Sequence, residues 1–374
     1  MNMYMKQPLH KLLLLLTLGM LLQACSKNDD YFRERPRPNP LENAQPYSSG
    51  FFVITEGSYG QMAGTVNFYA YGADTIVTRA YEKANPGKVT ANASLSSTLQ
   101  FATLYNQKLY LVSKLNGPIV RLDARTLKEE VRYNQESSNW RSLIGVRDNL
   151  GLVSAADGVY AINLNTLAVQ YKLSSVSAVN TGDMLKEGNY VYLLQANGAK
   201  IIDATNYSFV KSFANISRGF ARTPNGKVWA SAGSRLIAID KNLDTVGVAL
   251  PVSIGSFGLD APTRITASTK ENAVFYHSGA AIYKYVDGNA GSVGQPFITI
   301  SESPFMVYGA IRYDRNKDYL VVNGIKGYGG LAGVNFLLIY NASTGALVKK
   351  IVYGNDGSVV DFNHIYFPGL AVFY

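Results

Sequence analysis

One apolar run returns seven times along this chain: FFVITE at Phe51, LYLVSK at Leu109, LGLVSA at Leu150, YVYLLQ at Tyr190, VWASAG at Val228, AVFYHS at Ala273 and YLVVNG at Tyr319. The spacings are 58, 41, 40, 38, 45 and 46 residues. A unit that short cannot bury its own hydrophobic face, so it must pack against copies of itself. Each run alternates in the period-two manner of a strand, and from residue 51 onward no convincing amphipathic helix interrupts the series. Repeats of this length made of short strands specify propeller blades.

Each copy leads through a short turn into a second strand, as in IVRLD from Ile119, VYAIN from Val159 and LIAID from Leu236. Asp or Asn turns then reverse the chain, at Asp123-Ala124-Arg125-Thr126, Asn163-Leu164-Asn165-Thr166 and Asn341-Ala342-Ser343-Thr344, because a short polar side chain bonds the backbone just ahead of it. A third strand follows, such as LAVQYKL from Leu167, and a fourth precedes the recurring run, such as LIGVRDN from Leu143 or AIRYDRNK from Ala310. The first copy has no strand ahead of it. The unpartnered apolar run Gly369 to Tyr374 can supply one and remove an open edge. The expected fold is therefore all-β: a seven-bladed β-propeller of four-stranded antiparallel blades, closed by the C-terminal strand, over residues 50–374.

The single Cys excludes a disulfide scaffold and any multi-thiolate metal site. Its neighbours assign it another role. Lys6 and Lys11 precede the apolar run Leu12 to Leu22, which is short for a bilayer span, and Leu22-Gln23-Ala24-Cys25 ends it. That order is a secretory signal, and its last four residues resemble the lipobox of bacterial lipoproteins. The resemblance implies a signal peptide at 1–24 and a lipidated Cys25. Residues 25–49 then form a tether, with four prolines (Pro36, Pro38, Pro40, Pro46) favouring extended polyproline II. The acidic pair in Ser26-Lys27-Asn28-Asp29-Asp30 resembles the surface-export signal of Bacteroidota lipoproteins, which implies an outer-membrane, cell-surface protein. Loss of Lys6 and Lys11 leaves 33 basic against 26 acidic residues, a net charge of +7. An exported lipoprotein does not meet nucleic acid, so an anionic ligand, lipid headgroups or an acidic partner are the expected counterparts, alongside a merely soluble surface.

Residues 50–374 resemble the seven-bladed, YncE-like propeller lipoproteins of Bacteroidota. Glu56-Gly57-Ser58-Tyr59-Gly60 followed by Thr65-Val66-Asn67-Phe68-Tyr69 looks like the opening of that family, which includes the BtuG-type cobalamin-capturing surface proteins. The resemblance implies a non-catalytic protein that captures a small-molecule ligand, cobalamin or another corrinoid, and hands it to a TonB-dependent outer-membrane transporter. It implies no catalytic residues and no resident cofactor or metal.

The ligand is expected on the face where the fourth-to-first strand crossings and the second-to-third strand turns emerge. Crossings there carry Trp140 and Arg141, Asp183, Arg218, Arg264, Tyr308 and His364, and the turns carry Tyr59, Lys114, Gln195, His277 and Tyr328. Rings, cations and amides together suit a broad, amide-bearing ligand that stacks and takes hydrogen bonds at its edges. Trp140, beside Arg141, is expected to be the chief stacking contact. Trp229 lies inside a strand and is expected in the core. Two other classes stay open. Glu56, Asp157, Asp183 and Asp260 are carboxylates for a propeller hydrolase acting on a glycan or lactone, although no hydrolase motif surrounds them. The third class is a protein-binding scaffold.

Overall fold

The computed structural model describes residues 45–354 and 365–374, apart from 60–61, 89–94, 97, 116, 135–138, 177–178, 256–257, 260 and 303–305. Cys25, Asp260 and His364 thus lie outside the described residues. Among the described residues no helix is long and apolar enough to cross a membrane.

Seven antiparallel sheets form a seven-bladed β-propeller. Blade 3 shows the plan in chain order: Trp140–Arg147, Leu150–Ala155, Gly158–Asn163 and Val169–Lys172. The second strand of each blade is the recurring run, and in blade 4 Tyr190–Gln195 pairs in unbroken register with Gly198–Asp203. Burial falls from the inner strands to the fourth. Gly50–Thr55 is buried throughout, whereas Thr245–Ala249 is almost wholly exposed.

Alternate residues of each inner strand face opposite neighbouring blades, which is why those strands are apolar on both sides. The core is therefore a ring of wedges between blades. Phe52, Ile54 and Phe68 of blade 1 meet Leu109, Leu111 and Val120 of blade 2, and Trp229 of blade 5 meets Tyr276 and Tyr285 of blade 6. At roughly 2 kcal/mol for each large apolar side chain removed from water, these wedges dominate the stability.

Blade 1 closes the ring. Pro368–Phe373 pairs antiparallel with Gly50–Thr55, matching Phe51 to Phe373 and Val53 to Ala371. Its fourth strand departs from expectation, being reduced to one bridge between Phe68 and Val77. A five-residue helix, Ala80–Ala84, which the sequence does not announce, buries Ala80, Tyr81 and Ala84 after that bridge. Tyr47 is buried against Phe68, with ring centroids 5.2 Å apart, and its N–H donates to the Arg125 carbonyl at 3.1 Å.

Candidate functional site

Three inner strands begin with a register break. Pairing shifts between Leu99 and Phe101 in blade 2, between Trp140 and Leu143 in blade 3, and between Thr181 and Met184 in blade 4. A bulge releases residues from strict alternation and re-aims their side chains. The residues released are Gln100, Arg141 with Ser142, and Gly182 with Asp183. Gln100, Arg141 and Asp183 join a polar cluster at the mouth of the channel.

Glu56, just past the second strand of blade 1, anchors that cluster. Its Oε2 accepts from Gln100 Nε2 and from the Tyr308 hydroxyl, each at 3.0 Å. Lys114 Nζ donates to Gln100 Oε1 at 2.6 Å. Backbone packs closely beside this carboxylate: a Cβ on Gly369 would lie 3.2 Å from Glu56 Oε1. Gly309 has φ +69°, and a Cβ there would come within 2.1 Å of the Gly369 carbonyl, so only glycine fits.

Across the mouth Arg264 Nη1 donates to His277 Nε2 at 3.0 Å, which makes His277 a neutral acceptor at that nitrogen. Arg312 Nη1 donates to the carbonyls of Thr263 at 2.8 Å and Ile311 at 2.9 Å. Asp183 Oδ2 accepts from the Phe220 N–H at 3.4 Å and feels the charge of Arg312. Glu56, Lys114, Arg141, Asp183, Arg264 and His277 are all buried.

Burial disfavours every charge here. It raises Asp183 to about 6, with Arg312 and the Phe220 and Met184 N–H groups opposing, and raises Glu56 against Gln100, Tyr308, Lys114 and Arg264. It lowers Lys114 to about 8, helped by Arg141 and opposed by Glu56. It lowers Arg264 to about 10, with Tyr308 and Glu56 opposing and Arg312 adding to the shift. His277 falls to about 3 through burial and then the Arg264 charge, so it stays neutral at ordinary pH. These couplings link blades 1, 2, 3, 4, 6 and 7 into one electrostatic unit.

The structure thus brings together Lys114, Arg141, Asp183, Arg264, His277 and Tyr308 from the sequence-derived candidates. It separates others. Trp140 does not lie in the crossing: it is the first residue of the inner strand of blade 3, 0% exposed, and packs edge-on against Tyr160 at 5.4 Å. Its indole fills the wedge with Tyr110, Val112 and Val153, which corrects the expectation that it offers a stacking face. Gln195 is buried and donates to Thr181 Oγ1 at 3.1 Å within blade 4. Arg218 ties its crossing to the next one, donating from Nε to the Ile254 carbonyl at 3.1 Å, and from Nη1 to Ser217 beside it. Tyr59 and Tyr328 are 72% and 59% exposed, and the Tyr328 hydroxyl donates to Met306 Sδ at 3.4 Å.

Gln100 and Arg312 belong to the cluster and escaped sequence reasoning. The first sits on a bulge, and the second reads as one cation among several in AIRYDRNK. Among the carboxylates, Asp157 is tied at the surface to Lys172 at 2.7 Å and Tyr160 at 2.6 Å, whereas Glu56 and Asp183 face the mouth. No group of three or more His, Cys, Asp or Glu side chains placed to hold a metal occurs among the described residues.

Several solved structures share this fold. A quinoprotein alcohol dehydrogenase-like protein from Bacteroides thetaiotaomicron superposes with a TM-score of 0.68 at 20% identity, over 87% of this chain and 78% of that one. A dihydro-heme d1 dehydrogenase matches at 0.51 and 13% identity, over 90% and 77%. The WD40 repeats of RRP9 match at 0.51 and 10%, over 70% and 86%. At such identities the likeness is one of fold. No curated protein matches the sequence. The match that spans the propeller is to a family model, over residues 49–374, and the chain belongs to that family, described as a domain of unknown function (DUF5074).

Proposed function

We propose that this protein is a non-catalytic capture lipoprotein. On this reading Cys25 carries the lipid, the propeller is displayed at the outer surface, and the channel mouth takes a small molecule for delivery to a TonB-dependent outer-membrane transporter. The supporting observation is the cluster of buried Lys114, Arg141 and Arg264 with half-buried Gln100 and Tyr308 around one mouth, drawn from blades 2, 3, 6 and 7. Such a cluster presents cations and amide donors to one occupant without a nucleophile and base in hydrogen-bonding partnership. Exposed Tyr59 and Tyr328 emerge from the turns of blades 1 and 7 and offer rings to a broad ligand. The ligand class we propose is a corrinoid, whose amide-fringed macrocycle suits a polar, aromatic-edged mouth.

Calorimetry of the purified protein with cobalamin and with cobinamide tests this directly. Saturable heat is expected with one or both, weakened about tenfold or more in Arg141→Ala, as for a central contact worth roughly 1–3 kcal/mol. Absence of heat and of any spectral change at micromolar protein would overturn the corrinoid reading. Turnover of a glycan or lactone that is lost in Glu56→Gln would favour the hydrolase instead. Cys25→Ala should release the protein from membranes, and protection of the wild type from protease on intact cells would defeat surface display.

A further inference from the structure

We propose that the outer edge of blade 5 docks an extended peptide of a partner protein, a strand that carries one carboxylate between two apolar residues. Thr245–Ala249 is the last strand of its sheet and pairs in unbroken register with Arg235–Ile239, which leaves its other side open. The Asp240 N–H donates to the Asp244 carbonyl at 3.0 Å, and the Leu250 N–H to the Ser234 carbonyl at 2.9 Å. Antiparallel pairing alternates between those two bonds, so Val246 and Val248 turn their backbone groups inward while Thr245, Gly247 and Ala249 turn theirs to the open edge. An incoming strand finds donors and acceptors already at strand spacing.

Folded proteins ordinarily blunt such an edge by charge, by shortness or by cover. Glu129, Glu130 and Arg132 stand on the outer strand of blade 2, Lys172 on that of blade 3, Lys211 on that of blade 4, and Lys349 and Lys350 on that of blade 7. Blade 6 has an outer strand of two residues, and blade 1 a single bridge. Among the described residues, Thr245–Ala249 is the outer strand that combines full length with no charged side chain, and all of it but Val248 is exposed. Its edge is therefore open to pairing where the others are guarded.

The two sides of the strand specify the occupant. On the side facing blade 4, the exposed Arg235 lays its side chain across Gly247, where a Cβ would sit 3.2 Å from the guanidinium carbon. Half-buried Ile237 and Phe213 floor the same wedge. A residue paired with Gly247 projects to that side, and a carboxylate there meets the guanidinium. Its two neighbours project toward blade 6, beside Val246, which is 68% exposed, and Val248, which packs on the wedge of blades 5 and 6. A second copy of this strand, paired about Gly247, would bring no carboxylate and would set one Arg235 against the other, so the charge favours a different chain.

Fluorescence anisotropy of the purified protein with the labelled peptide SGTVEVTGS at low ionic strength tests the docking. Saturable binding below millimolar peptide is expected, with amide exchange slowed at residues 245–249. Binding should weaken at least about threefold with Lys in place of the peptide's Glu, in Arg235→Met, and at about 0.5 M salt, the scale of one exposed ion pair. Methylating the peptide nitrogen of that Glu removes the donor to the Gly247 carbonyl and should abolish binding with the protein untouched. Gly247→Pro and Ala249→Pro each remove an outward N–H and no ladder bond, and should weaken binding about tenfold or more while the near-ultraviolet spectrum stays that of the parent. The docking is overturned by absence of saturation at millimolar peptide, by equal affinity for the methylated peptide or the Lys peptide, or by protection that spares residues 245–249. A sedimenting dimer that Gly247→Pro dissociates would overturn it too, by giving the edge to a second copy. The rim is read by this peptide and the mouth by cobalamin and cobinamide, so either reading can fail while the other stands.

Discussion

Asp183 shows what the mouth demands of a single residue. Its carboxyl is buried, and its pKa rises from the ordinary 3.8 to about 6 because desolvation outweighs Arg312 and the two backbone N–H groups. The folded state therefore holds the proton more tightly than the unfolded chain. Asp183 contributes full stability below pH 3.8, and that contribution is lost as pH rises through about 6, by about 3 kcal/mol in all. Asp183→Asn keeps an oxygen for the Phe220 N–H and removes the ionisation. Its thermal midpoint at pH 7 should exceed that of the parent by a few degrees, with the gap closing at pH 4. A lower midpoint at pH 7 would show that the Arg312 interaction outweighs desolvation. Chain position in the repeat sufficed to place Asp183, Arg264 and Lys114 on this face, since strand ends are legible. It misjudged Trp140, because the bulge between Trp140 and Leu143 breaks the alternation and the visible period starts only at Leu143.

At the scale of the element, the turn between third and fourth strands sets two costs against each other. In blade 3, Asn163 Oδ1 accepts from the N–H groups of Asn165 at 2.8 Å and Thr166 at 3.1 Å, as the sequence leads one to expect. The turn then sets Leu167 at φ 60°, a left-handed conformation that costs a branched residue roughly 1–2 kcal/mol. Leu127, Tyr207 and Leu243 repeat the device in blades 2, 4 and 5. The compensation is burial: Leu167 is 0% exposed and fills the wedge with Tyr110 and Ile162. Losing a buried Leu side chain costs about 2–5 kcal/mol, more than the strain relieved. Leu167→Gly should therefore be destabilised by at least about 1 kcal/mol in urea titration. A more stable variant would mean the backbone strain dominates. The Asx turn was readable because it is local, whereas the left-handed leucine was not, since its reward lies in the neighbouring blade.

For the whole molecule the decisive joint is the one that closes the ring. Pro368–Phe373 lends blade 1 its inner strand, and Tyr374 extends the fastening. The Tyr374 hydroxyl donates to the Ala124 carbonyl at 2.6 Å and to that of Tyr47, while Arg315 Nε and Asn316 Nδ2 donate to the Tyr374 carbonyl at 3.3 and 3.2 Å. The last six residues thus bind blades 7, 1 and 2 to one another. Deleting Gly369 to Tyr374 should expose the edge of Gly50–Thr55 and cause a large fall in thermal midpoint or aggregation. A truncated protein that melts like the parent would refute the closure.

By itself the sequence determined the seven-fold repeat, the antiparallel blade and the strand that seals the ring, because each depends on period-two alternation and on turn chemistry spanning only a few residues. Tertiary structure alone decided which side chains meet at the mouth. Gln100, Arg141 and Asp183 lie in separate blades, and their side chains are aimed by bulges whose register is set by the partner strand. Glu56 gains Tyr308 across a separation of 252 residues. Such encounters leave no trace in local pattern, since their energy comes from burial and from charges that become neighbours only when the ring is closed.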